Sequence, residues 1–305
     1  MGLFKRASTI YKNEGLSSVL RAATRFIDAR TPSFAPFVYS QYIRMRYTND
    51  TIEKHINGFD MRLRTDDDGI HRDLLISGVR EPASTKVYQQ LLIEFSEATS
   101  RKIVVFDIGA NIGYYVLLEA SILNDQDQIV AIEPEKTNIK DLRENIEING
   151  YDNIDIRQQA IGSKKRTVGL RVGDKSNLHK VVPDPDSVKS TVSVEMTSID
   201  NLLQQYNIVN GDPLVIRIDV EGYETEVFRG MSDLLQSDLP LLVFVEIHAN
   251  KITYEEQEEI LTALDKGGLD LKFVSYDGGK TGKHKSDYNK ITRGFANTHV
   301  IALRI

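Results

Sequence analysis

Beyond residue 100 the chain alternates short apolar runs with longer amphipathic stretches. Ile103 to Phe106, Ile129 to Ile132, Ile154 to Arg157, Leu214 to Ile218 and Leu241 to Ile247 are short and rich in β-branched residues. Runs of that kind read as strands covered on both faces. Apolar positions recur at helical spacing near 112 to 123, 137 to 149, 222 to 236 and 253 to 266, and an earlier stretch over 84 to 98 also reads as a helix. The alternation predicts an α/β fold, a doubly wound, Rossmann-like and mostly parallel sheet. Leu271 to Tyr276 and Val300 to Ile305 bracket a polar loop at 278 to 294 and add two strand-like stretches, the C-terminal one expected to be antiparallel.

Two regions break this rhythm. Between Ile161 and Thr197, Thr167 to Val172 and Thr191 to Met196 read as β stretches around the polar loop Gly173 to Ser190. This insertion, about 161–197, is where choice of a second ligand is expected. From Ile56 to Ser77 the pattern is strand-like, with Asp66-Asp67-Asp68-Gly69 as a turn signal, so a β cap is expected over about 51–80. The three aspartates read as a solvated turn, and no metal site is predicted. Residues 1–50 form a locally basic arm whose apolar positions, from Leu3 to Ile27, fall at loosely helical spacing before Thr31-Pro32-Ser33. Such an amphipathic helix packs on its own domain or touches an anionic membrane surface. The expected layout is a helical arm over 1–50 and one catalytic domain over 51–305.

Composition narrows the classes. The 305 residues carry a formal net charge of −6, which argues against nucleic acid as the main partner. The absence of cysteine excludes disulfides, thiolate nucleophiles and Cys-ligated zinc or iron–sulfur clusters. No apolar run approaches the ~20 residues that span a bilayer, so the expected location is cytoplasmic, peripheral to the membrane if the arm touches it.

In an open α/β sheet ligands sit at the carboxyl ends of the strands. Three of those positions are acids here: Asp107, Glu133 and Asp219. Gly109 and Gly113 permit a tight turn into the following helix. A pyrophosphate cofactor wants a glycine where this chain has Asn111, and Asp107 opposes phosphate charge. S-adenosylmethionine has no phosphate and carries an ammonium and a sulfonium, which nearby carboxylates attract. Glu133, 24 positions after Gly109, suits the ribose hydroxyls of either cofactor.

The segments Val105-Phe106-Asp107-Ile108-Gly109-Ala110-Asn111-Ile112-Gly113-Tyr114-Tyr115, Ile132-Glu133-Pro134 and Ile216-Arg217-Ile218-Asp219-Val220-Glu221-Gly222-Tyr223-Glu224 resemble, in that order, the FkbM family of methyltransferases. The resemblance covers about residues 75 to 280. It implies an S-adenosylmethionine-dependent O-methyltransferase acting on a hydroxyl of a sugar, glycan or small metabolite. It also implies that Glu81, in Val79-Arg80-Glu81-Pro82, contacts the amino acid end of the cofactor.

Methyl transfer to a hydroxyl needs alignment and a base. His248, closing Glu246-Ile247-His248 at the end of the fifth strand, is the first candidate, with Asp219 and Glu221 as alternatives. Glu221 also suits a cap on a helix starting at Gly222. His179 and Lys180 lie in the insertion loop, where they either touch an anionic substrate or face solvent. The competing classes are a nucleotide-dependent oxidoreductase and a noncatalytic scaffold of the same fold.

Overall fold

The structure is a computed structural model that describes residues 43, 45–67, 69–173, 179–182, 191–276, 281–282 and 297–305. The basic arm except residues 43 and 45–50, the loop at 278 to 294 except residues 281–282, and most of the loop Gly173 to Ser190 lie outside the described residues. The chain divides into two compact units, Met1–Arg80 and Glu81–Ile305.

In the first unit, β1 (Thr51–Ile56) pairs antiparallel with β2 (Phe59–Arg64) through Asn57-Gly58, both at positive φ. Asn-Gly is the pair a tight hairpin turn favours. The strand-like reading of 56 to 77 holds only as far as Arg64, because α1 (Ile70–Ser77) follows. Its buried residues Ile70, His71, Leu74 and Leu75 recur at helical spacing. Lys54 Nζ donates to the carbonyls of Leu74 and Leu75 at 2.8 and 2.9 Å near the C-terminal end of that helix.

The second unit opens with α2 (Pro82–Glu97), whose first residue is a proline, well suited to a helix start. Then follow β3 (Val104–Ile108), α3 (Tyr114–Ala120), β4 (Gln128–Ile132), α4 (Lys136–Asn149) and β5 (Ile154–Arg157). The interruption comes next, as β6 (Ala160–Ile161), β7 (Arg166–Arg171), β8 (Lys180–Val182) and β9 (Thr191–Thr197). The chain resumes with α5 (Ile199–Gln205), β10 (Leu214–Ile218), α6 (Glu224–Arg229), α7 (Ser232–Gln236), β11 (Leu241–Ile247) and α8 (Tyr254–Lys266). It closes with β12 (Asp270–Tyr276), β13 (Thr281–Gly282) and β14 (Thr298–Arg304).

The main sheet has the order β13-β12-β14-β11-β10-β3-β4-β5. Strands β5, β4, β3, β10 and β11 are parallel, and β14 runs antiparallel between β11 and β12. Every residue of β3, β10 and β11 is buried, as expected of strands covered on both faces. The expected helix over 222 to 236 is instead two short ones separated by Gly230, where an added Cβ would lie 2.1 Å from the Gly162 carbonyl oxygen. The insertion forms a separate sheet, β6-β9-β7-β8, with its own small core around Val168, Leu170, Val194 and Met196. Among the described residues no helix is long and apolar enough to cross a membrane.

Candidate functional site

Three of the sequence-predicted acids stand at the carboxyl ends of adjacent strands. Asp107 on β3 is the register partner of Arg217 on β10. Arg217 Nη1 donates to Asp107 Oδ1 at 2.8 Å, and Nη2 donates to Asp219 Oδ2 at 3.0 Å. The guanidinium also lies 3.9 Å from the centre of the Tyr115 ring, within cation–π range. Burial holds the Asp107 carboxyl above its ordinary value, with Arg217 pulling the other way. Arg217, 4% exposed, thus balances one of the two acids and binds both.

Gly109 is at φ +84°, and a Cβ there would stand 1.9 Å from the Asp219 carbonyl oxygen. Gly113 is at φ +94°, and its Cβ would stand 2.6 Å from Leu142 Cδ1. Both glycines take up the turn conformation and also pack the protein closely on itself. Asn111 adopts φ +51°, a left-handed conformation that asparagine tolerates. Its amide donates to Glu133 Oε2 at 2.9 Å, while the Glu135 amide donates to Glu133 Oε1 at 2.9 Å. Burial raises the Glu133 carboxyl to about 7, against the lowering effect of those amides.

Asp219, Glu221 and His248 also converge, with one ligand atom from each lying within 4.8 Å of the others. Strand alternation does not do this, since β10 ends at Ile218. Glu221 at φ +57° and Gly222 at φ +98° form a turn instead. The next helix begins at Glu224, so Glu221 has no capping role; its carboxylate pairs with Lys251 Nζ. His248 Nδ1 is 2.6 Å from Glu224 Oε1. Its Nε2 lies 3.4 Å from Glu221 Oε2, 3.6 Å from Glu246 Oε1 and 3.9 Å from Asp219 Oδ1. Burial alone would depress the imidazole, but the Glu224 hydrogen bond and the surrounding carboxylates raise it to about 9. At neutral pH His248 is therefore an imidazolium, and it accepts a proton only after losing its own.

Glu81 sits at φ +42° just before α2 and accepts a hydrogen bond from Tyr115 Oη at 2.7 Å. His299 Nε2 lies 3.1 Å from Glu81 Oε2 and 3.7 Å from Glu246 Oε2. Glu246 thus stands between the two histidines. Arg217, Glu224, Glu246 and His299 had no assigned role at the sequence level. Period-two alternation places Glu246 and His248 on one face of a strand, which was a usable signal for Glu246. His299 falls one residue before the stretch taken as strand.

The insertion sheet abuts the same region. Arg166 donates to Tyr223 Oη at 3.0 Å and Ser163 to Glu226 at 2.6 Å. Lys180 on β8 is near enough for its charge to help burial depress the Lys251 ammonium. His179 Nδ1 accepts the Gly173 amide at 3.2 Å.

Comparison with known proteins gives a family. The family model described as the methyltransferase FkbM domain matches residues 107–272. Over 162 residues the chain is 30% identical to the hexuronic acid methyltransferase AglP of Haloferax volcanii, covering 52% of this chain and 61% of that protein. The chain thus matches about three fifths of the length of that curated relative. Among solved structures it is similar to a SAM-dependent methyltransferase from Agrobacterium tumefaciens, with TM-score 0.46 and 12% identity over 84% of this chain and 70% of that one. TYW2 of M. jannaschii in complex with AdoMet gives TM-score 0.39 and 12% identity over 84% of this chain and 88% of the other.

Proposed function

Because the chain belongs to the FkbM methyltransferase family and is a methyltransferase, we propose that it uses S-adenosylmethionine to methylate a hydroxyl oxygen of a sugar, glycan or small metabolite. The observation that carries the cofactor reading is Glu133. Each of its oxygens is fixed by one backbone amide, and a carboxylate oxygen accepts more than one hydrogen bond. The Asn138 side chain also bonds this carboxylate, and of its roughly four acceptor positions the remaining one suits a ribose hydroxyl. The turn from Asp107 to Gly113 fits as well: the site of a Gly109 Cβ is filled by protein, so the turn is no phosphate cradle, and its nearby acids suit a cation.

On this reading Glu133 holds the ribose, Asn111 and Gly113 shape the turn around it, and Glu81 faces the ammonium end. Asp107, through Arg217, holds Asp219 in place between cofactor and acceptor. The bound cofactor supplies a methyl group already activated by its sulfonium. The chain's own work is to align the acceptor oxygen and remove its proton, and we assign both to the cluster of Asp219, Glu221 and His248. The sugar class follows from the relative that acts on a hexuronic acid by name. Lys180 and Lys251 beside this acid-rich crevice suit an acceptor carrying a carboxylate.

Calorimetry tests the cofactor assignment: S-adenosylmethionine should bind the wild-type chain, and Glu133→Gln should weaken binding at least tenfold. Mass spectrometry of a panel of uronic acid glycans should then show a gain of one methyl group. Tight NADH binding with no affinity for S-adenosylmethionine would overturn the reading.

A further inference from the structure

We infer that Asp219, Glu221 and His248 form a binding site for one divalent cation, of the Mn2+ class, at the acceptor end of the crevice. The inference rests on the reading of that crevice given above and deepens it, since the sequence predicted no metal.

The spacing is the first support. Two ligands each about 2.1 Å from one ion lie roughly 3.0 Å apart at octahedral angles and 3.4 Å apart at tetrahedral angles. His248 Nε2 and Glu221 Oε2 are 3.4 Å apart, longer than the roughly 2.7–2.9 Å of a charge-assisted hydrogen bond. Asp219 Oδ1 stands 3.9 Å from the same nitrogen, and the ligand atoms all fall within 4.8 Å. The set mixes one imidazole with carboxylate oxygens, which suits a first-row divalent ion.

The outer contacts are those a metal ligand needs. A ligating histidine usually gives its other nitrogen to a carboxylate, which fixes the ring and aims the free nitrogen. His248, 2% exposed, does this through Nδ1 and the fully buried Glu224. Asp219 is oriented likewise, since Arg217 holds Oδ2 and Oδ1 faces the histidine.

An independent sign comes from Glu246. Its side chain is 6% exposed, and Oε1 lies 3.6 Å from His248 Nε2. Its Oε2 has no hydrogen-bond partner among the described residues. The carboxylate is held at Oε1 by Asn297 Nδ2 at 2.8 Å and faces His299 Nε2 at 3.7 Å through Oε2, so it brings buried negative charge to the edge of the cluster, which a divalent ion offsets. The electrostatics of the acceptor point the same way. Asp219, Glu221, Glu224 and Glu246 outnumber the nearby Lys180 and Lys251, and a divalent cation would let a uronic acid bring its carboxylate and hydroxyl oxygens close to them. Coordination of the hydroxyl would also make it more acidic.

The test is titration of the chelator-treated full chain with Mn2+, followed by loss of the free-ion electron paramagnetic resonance signal. One equivalent should bind, and His248→Ala and Asp219→Asn should each weaken it tenfold or more. Glu224→Gln should weaken it about tenfold, at the low end of what loss of an outer partner costs. Lys251→Ala removes the cation that competes for Glu221 and should tighten binding several-fold, an effect that misfolding does not imitate. Absence of saturable binding, or binding indifferent to Asp219→Asn and Lys251→Ala, overturns the inference. Binding of S-adenosylmethionine and methyl transfer that persist in excess chelator overturn it while leaving the proposed function intact. Mn2+ held by the cluster in a chain with no affinity for S-adenosylmethionine does the reverse.

Discussion

Replacing Arg217 with methionine isolates the buried ion pair beneath the site. Asp107 is 0% exposed and Arg217 4%, so the variant leaves a carboxyl in the core facing an apolar side chain of similar length. The carboxyl escapes by taking up a proton. For an ordinary aspartate pKa near 3.9, that costs about 1.4 kcal/mol for each pH unit above it. The ceiling on the loss is thus ~4 kcal/mol at pH 7 and ~1.5 kcal/mol at pH 5. Because burial already raises Asp107 in the wild type, part of this cost is present before the substitution, and the measured loss should fall below the ceiling. The sign follows from linkage: a carboxyl whose folded pKa is raised binds more protons folded than unfolded, so stability falls as pH rises through that window. The deficit of Arg217→Met should therefore shrink on acidification from pH 8 to pH 5. With no tryptophan in the chain, urea unfolding followed by far-ultraviolet circular dichroism is the assay. In a unit of this size 1 kcal/mol corresponds to about 2–4 °C in Tm, so up to roughly 16 °C is expected at pH 7. Wild-type stability at pH 7, or a deficit that is constant with pH, would refute the reasoning.

Other outcomes follow from the same geometry. Gly109→Ala should cost roughly 3 kcal/mol or more, because φ +84° disfavours a side chain and the Cβ would meet the Asp219 carbonyl at 1.9 Å; chemical denaturation reads the loss. Affinity for S-adenosylmethionine should rise from pH 6 to pH 8, since Glu133 titrates at about 7 and its ionised form accepts the hydroxyl hydrogen. Calorimetry across that range checks it, and Glu133→Gln should abolish the slope. His248, raised to about 9, contributes stability that is complete below the ordinary histidine pKa near 6.5 and is lost as pH climbs through 9. Glu224→Gln should bring the imidazole titration down by at least about one unit, seen by NMR.

The parallel sheet was legible because buried parallel strands leave a plain mark, short β-branched runs at regular intervals. Asp107, Glu133 and Asp219 were legible because strand ends are where such a sheet places its chemistry. Arg217 was not, since its importance lies in register: only pairing of β3 with β10 sets it against Asp107. Glu224 and His299 escaped for a related reason. One stands in the first turn of a short helix and the other at the start of an antiparallel strand, and neither interrupts a pattern. The glycines were legible as a tight turn, but the surface each packs against was not, because only the folded neighbours tell what approaches.

The contact between Gly109 and the Asp219 carbonyl marks a boundary for anyone wishing to redirect this enzyme. The turns that follow β3 and β10 touch without room for a methyl group, so neither can be rebuilt alone. New acceptor specificity is better sought in the insertion sheet, which has its own small core and meets the crevice through Tyr223, Glu226 and the neighbourhood of Lys251. A graft there leaves the joint between the two turns untouched.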